Sequence, residues 1–227
     1  MIELRNLSKE FVFAGRRRVL FRNVNLRLET GLSVALLGAN GSGKSTLLAI
    51  VAGIMDLTYG QVVSDGTISW PVGFAGSFHP DLTGSQNTRF VARIYGVDSD
   101  ELSDFVQSFA RIGRHFHHPF RSYSAGMRAR LAFGVSMGIP FDTYLVDEVT
   151  SVGDGAFRAS ASQVFAARME RAGAIMVSHS MPMIRDFCSA GIVLSRGRAV
   201  FHNDINDAID HHTRDLARPS SVVMGAA

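Results

Sequence analysis

Nine consecutive residues, Gly38-Ala39-Asn40-Gly41-Ser42-Gly43-Lys44-Ser45-Thr46, follow the spacing Gly-x-x-x-x-Gly-Lys-Ser/Thr. Glycines at these positions let a backbone fold into a nest whose N–H groups converge on phosphate oxygens, and a helix beginning just behind it adds its positive end. Lys44, one of only two lysines in the chain, supplies a cation for the β- and γ-phosphates. The Ser45 hydroxyl is a hard oxygen donor suited to Mg²⁺, and Thr46 can hold the α-phosphate. The chemistry is nucleoside triphosphate binding.

Two further groups bear on what happens to that triphosphate. Asp147-Glu148 follows the apolar run Thr143–Val146. A carboxylate pair at the carboxyl end of a core strand suits a metal ligand (Asp147) beside a group that polarises an attacking water (Glu148). Ala174–Val177 runs into Ser178-His179-Ser180, so His179 stands at the end of the next core strand, within reach of a γ-phosphate. Upstream, Tyr123-Ser124-Ala125-Gly126-Met127 precedes a helical stretch, with Ser124 as N-cap. Its hydroxyl, N–H groups and helix dipole form a second anion site. The first loop already surrounds this chain's triphosphate, so Ser124, Ala125 and Gly126 best serve the triphosphate of another copy.

These groups need a framework. Residues 2–4, 10–13 and 19–28 read as strands, with Gly15 and Arg16–Arg18 as a turn between them. Ser33–Leu37 is a buried strand leading to the glycine loop, and Ser45–Gly53 a helix. Further short strands lie within 62–75. Thr83-Gly84-Ser85-Gln86 has capping-box spacing, Asp98 to Glu101 opens another helix, and 125–138 is a third. Strands at 143–146 and 174–178 joined by a helix over 156–171 are the pattern of parallel strands with a crossover. Arg196-Gly197 marks a hairpin, and 204–216 a last helix. The expectation is one α/β domain. Residues 1–76 and 141–217 form a β-subdomain plus core, 77–140 a helical insert, and 218–227 a flexible tail.

The chain has 227 residues, 46% of them apolar, and a net charge of +3, enough for a real core but too weakly basic to indicate nucleic-acid binding. Cys188 is the only cysteine, so no intrachain disulfide forms. The N-terminus lacks a signal-peptide core, and no apolar stretch is long enough to cross a bilayer. A membrane role would therefore come through a partner. His115, His117 and His118 cluster without a Cys or carboxylate beside them, which favours a solvated turn over a metal site. Arg89, Arg93 and Tyr95 lie on a helix that either meets a membrane partner or is simply solvated.

At this point the chain resembles the nucleotide-binding subunit of an ABC transporter over nearly its whole length. Gly38–Thr46 matches Walker A, Tyr123–Met127 the signature usually written Leu-Ser-Gly-Gly-Gln, Tyr144–Glu148 Walker B, and His179 the switch histidine. Gly153 and Asp154 occupy the D-loop, and Phe11 stands where the family stacks an aromatic on adenine. Ile68-Ser69-Trp70-Pro71, Leu82-Thr83-Gly84 and Asp147-Glu148-Val149 narrow the resemblance to ATPases that energise capsular polysaccharide export. The resemblance implies a P-loop (RecA-like) core with an antiparallel β-subdomain and an inserted α-helical subdomain. It also implies Mg²⁺-dependent ATP hydrolysis in a homodimer, and peripheral attachment to an integral-membrane permease at the cytoplasmic face of the inner membrane. Related O-antigen ATPases often carry an extra carbohydrate-binding domain, for which this sequence has no room.

Three positions depart from the pattern. The Q-loop position holds His79 instead of glutamine, Ala125 replaces glycine, and Met127 replaces glutamine. Imidazole is a poor Mg²⁺ ligand beside oxygen, so His79 is expected to touch the metal shell through water at most. The competing readings are a soluble ABC-type ATPase acting on nucleic acid or the ribosome, and an ABC ATPase for another cargo. A P-loop kinase would leave Ser124–Met127 unexplained.

Overall fold

The computed structural model describes residues 1–76, 78–147 and 155–217. Two sheets carry the fold. The smaller has three strands in the order β2-β1-β4, formed by β1 (Ile2–Phe13), β2 (Arg16–Leu28) and β4 (Tyr59–Ser64), all antiparallel. The expected turn over Arg16–Arg18 is corrected here. The ladder runs to the pair Phe13↔Arg16, and only Ala14 and Gly15 turn, both at positive φ (48° and 74°). Two residues with φ above zero match the twist of the flanking strands, so the arginines remain in register as strand residues.

The larger sheet has six strands in the order β5-β6-β7-β3-β8-β9. Its members are β3 (Ser33–Leu37), β5 (Ile68–Pro71), β6 (Thr143–Asp147), β7 (Gly173–Val177), β8 (Ala190–Ser195) and β9 (Arg198–His202). Every pairing is parallel except the β8–β9 hairpin. β3, β6 and β7 read as near-continuous apolar runs because helices cover both faces. At the β5 edge, where Pro71 has no N–H for the ladder, the buried Ser69 hydroxyl accepts from Leu145 N–H at 2.9 Å and donates to the Trp70 carbonyl at 2.7 Å.

α1 (Lys44–Val51) directly follows the glycine loop. Its Leu47, Leu48, Ile50 and Val51 join Leu4, Phe21 and Val24 of the small sheet, and Val34, Leu36 and Leu145 of the large one, in a single buried cluster. The opposite face of the large sheet meets the helices inserted between β5 and β6. These are α2 (Gly84–Tyr95), α3 (Ser99–Ala110) and α4 (Ala125–Gly138). α2 starts in a full capping box, the Thr83 hydroxyl accepting from Gln86 N–H while the Gln86 side chain accepts from Thr83 N–H. α4 is the centre of this layer, with Leu131 to Met137 all buried. Phe109 of α3 stacks on Phe133 of α4 at 5.7 Å and meets Phe157 at 5.1 Å. Phe157 lies on α5 (Gly155–Met169), the crossover from β6 to β7. α6 (Met181–Phe187), which the sequence reading missed, connects β7 to β8, and α7 (Ile205–Ala217) packs on β3, β8 and β9.

Candidate functional site

The carboxyl ends of β3, β7 and β6 lie side by side, and this places the chemistry. β3 ends at Leu37, and the loop from Gly38 leads into α1. Gly41 and Gly43 hold φ of 77° and 106°, values that L side chains rarely adopt. A Cβ at Gly43 would also sit 2.7 Å from the Leu20 side chain of β2, so glycine here meets both a conformational and a packing demand. The first turn of α1 has no side-chain cap. Its backbone donors therefore remain for an anion. The Ser42 hydroxyl is buried with no hydrogen-bond partner among the described residues, and Lys44 Nζ donates to the carbonyls of Gly38 and Ala39 at 2.8 and 3.1 Å. Uncapped helix donors, an orphaned hydroxyl and a lysine folded over the loop fit a polyphosphate.

Around the loop is a cleft of about 430 Å³ lined by Asn40, Gly41, Gly43, Lys44, Ser45 and Thr46, by Phe11, Arg18 and Leu20 of the small sheet, and by Val177 of β7. Phe11 therefore lines the same cleft as the phosphate loop. Its ring is 40% exposed and carries the Lys9 ammonium 4.9 Å from its centroid, while Lys9 also donates to the Asp56 carbonyl at 2.6 Å. Arg18 and Leu20 were missed by the sequence reading. Arg18 reads as turn beside Gly15, and only the register of the ladder, which sets it across from Phe11, brings it to the cleft.

Asp147 ends β6 and is paired in register with Val177, so the carboxylate stands one strand over from the cleft wall. The exposed His179 follows two residues beyond Val177. Ser45 and Asp147 provide the oxygen donors that suit Mg²⁺. Glu148, Gly153 and Asp154 fall outside the described residues. Ser124 caps α4, its hydroxyl accepting from Met127 N–H at 3.3 Å, and Ser124, Ala125 and Gly126 are all exposed. They do not line the cleft of their own chain. Neither does His79, which the buried Asn87 of α2 holds through its main chain. In the histidine cluster Phe116 is fully buried, and among the described residues no group of three or more His, Cys, Asp or Glu is placed to hold a metal ion.

A parallel core sheet with a phosphate loop at its carboxyl edge and a helical layer inserted after β5 define a P-loop nucleotide-binding cassette. The chain matches the ABC transporter family over residues 21–151, more than half its length, and belongs to that family. It is similar to the polysialic acid transport ATP-binding protein KpsT of Escherichia coli, with 43% identity over 220 residues, 95% of this chain and 100% of that one. It is also similar to the capsule polysaccharide export ATP-binding protein CtrD of Neisseria meningitidis serogroup B, with 36% identity covering 93% of this chain and 98% of the relative. A dimeric ATP-binding cassette, MJ0796, solved with ADP and Pi, shares the fold at a TM-score of 0.71 and 22% identity, covering 87% of this chain and 96% of that one.

Proposed function

We propose that this ATPase powers export of a capsular or related cell-surface polysaccharide through a separate membrane permease. The observation that carries the proposal is similarity along the whole chain to proteins named for capsule and polysialic acid transport, on top of a cleft that joins Phe11 to the phosphate loop. Two copies close on two ATP molecules. Each site combines one chain's Gly38–Thr46, Asp147, Glu148 and His179 with the other chain's Ser124, Ala125 and Gly126. That division is supported by the exposure of the Ser124 segment and its absence from its own chain's cleft. Within a site, Phe11 stacks on the base, the loop N–H groups and Lys44 hold the phosphates, and Glu148 orients and deprotonates the attacking water. His179 donates to the γ-phosphate, and Gly153 and Asp154 lie across the dimer seam. Ser45 and Asp147 would hold Mg²⁺, which when bound neutralises charge developing on the phosphates.

No helix among the described residues is long and apolar enough to cross a membrane, so attachment at the cytoplasmic face of the membrane goes through the permease. The docking face we assign is α2. Phe90, Ile94 and Tyr95 are 54%, 60% and 40% exposed. The Trp70 ring lies 5.2 Å from that of Tyr95, and its buried indole N–H has no partner among the described residues. Arg89 is paired with Asp100 at 2.5 Å, so it acts within the face it shares with α3 rather than as a free charge.

Substituting Glu148→Gln tests the engine. The variant is expected to bind ATP, lose turnover and accumulate as a closed dimer in size-exclusion chromatography; wild-type turnover would refute the assignment of Glu148. Complementation tests the cargo. The wild-type chain, with its own permease, is expected to restore surface polysaccharide to an export-deficient strain, while Lys44→Ala does not. Restoration of some other transport activity instead would overturn the polysaccharide reading.

A further inference from the structure

The cleft contains a cation that the phosphate loop does not account for. Arg18 lies directly opposite Phe11 in the β1–β2 ladder, and the two line the same cleft as Thr46. Residues paired across an antiparallel ladder share a face, so the Arg18 and Phe11 side chains leave the sheet on the same side. Leu20, two residues along the same face, already reaches Gly43 of the loop. That spacing sets the Arg18 backbone about 7 Å further out, level with Phe11 on the facing strand. Among the described residues the Arg18 side chain has neither hydrogen bond nor ion pair, whereas its neighbour Arg17 lies 3.6 Å from Glu10. The Lys9 ammonium over the Phe11 ring reserves one face of that ring, which leaves the other for a base.

We propose that Arg18 is a nucleotide-binding residue whose guanidinium contacts the α-phosphate of the nucleotide stacked on Phe11. A guanidinium has donors only, and the anionic oxygens nearest a base platform are those of the α-phosphate. The inference rests on the reading of Gly38–Thr46 as the phosphate site. It adds a contact that ATP and ADP share equally, and so one that sets affinity and leaves the chemical step alone.

The test titrates the full chain with Mg·ATP and Mg·ADP, comparing wild type with Arg18→Ala, Arg18→Lys and Arg17→Ala. Arg18→Ala is expected to raise Kd for both nucleotides by the same factor, about tenfold for a partly solvated charged hydrogen bond. It should leave kcat at saturating ATP unchanged. Arg18→Lys should recover part of the loss, Arg17→Ala should stay within twofold of wild type, and the gap should narrow in high salt. An unchanged Kd, a loss confined to ATP, a fall in kcat, or a deficit insensitive to salt would each overturn it. Lys44→Ala is measured alongside: if it binds ATP as well as wild type does, the phosphate-loop reading fails, which is a different result from an inert Arg18.

Discussion

Asn87 grips His79 by both of its main-chain groups: its side-chain oxygen accepts from His79 N–H at 2.8 Å and its amide donates to the His79 carbonyl at 3.1 Å. The same amide reaches the carbonyls of Leu82 and Thr83 at 3.2 and 3.1 Å, and Asn87 is 1% exposed. One side chain thus fixes the loop that follows β5 to the first turn of α2. Asn87→Ala takes this partner from the His79 N–H and carbonyl, whereas the Leu82 and Thr83 carbonyls keep Phe120 N–H and Asn87 N–H, and it is expected to lower stability by about 1–3 kcal/mol, read by urea unfolding. A loss no larger than that of a surface alanine substitution would show that the loop refolds around the gap.

The ring of His79 accepts at Nδ1 from Asp81 N–H at 3.2 Å, which in a neutral imidazole puts the proton on Nε2. The free end is then a donor, suited to a water or a phosphate oxygen and unsuited to a metal. His79→Gln keeps a side-chain donor and adds an oxygen ligand, so ATPase activity is expected to hold or rise. A steep drop in kcat would mean that the imidazole itself takes part.

Gly38 is where the phosphate loop passes closest to β8. A Cβ there would fall 2.5 Å from the Leu194 carbonyl oxygen and 2.6 Å from the Ser42 hydroxyl. Backbone cannot yield as a side-chain tip does, so Gly38→Ala must push the loop out of shape. Isothermal titration should show nucleotide affinity weakened by about tenfold or more, equivalent to roughly 1.4 kcal/mol, with circular dichroism unchanged. Unaltered affinity would place the loop's freedom elsewhere.

Burial pushes the Cys188 thiol up to about 12 from its ordinary 9.0. The native thiol is expected to ignore iodoacetamide at pH 8 and to react once the chain is unfolded. The sign for stability follows: the native state holds its proton more tightly than the unfolded chain does. The contribution is therefore whole below pH 9.0 and is lost as pH rises toward about 12. Cys188→Ala should flatten that alkaline decline, and an equal slope in both proteins would assign it to other groups.

Local chemistry written in adjacent residues was legible in the sequence. The phosphate loop, the capping box at Thr83, the Ser124 cap, and the apolar runs ending in Asp147 and Val177 each depend on contiguous spacing, and each lies in the expected kind of element. Tertiary structure alone decided what depends on strands meeting from distant parts of the chain. Arg18 reads as a turn beside Gly15 and becomes a wall of the cleft only because β2 pairs with β1 in a register that sets it opposite Phe11. Asn87 is an unremarkable polar residue of α2 until folding buries it against His79. Asp147 comes beside Val177 only through the parallel pairing of β6 with β7. Spacing along the chain specifies a backbone nest, whereas the register of a sheet is set by which faces bury their apolar residues, and that is settled by the whole fold.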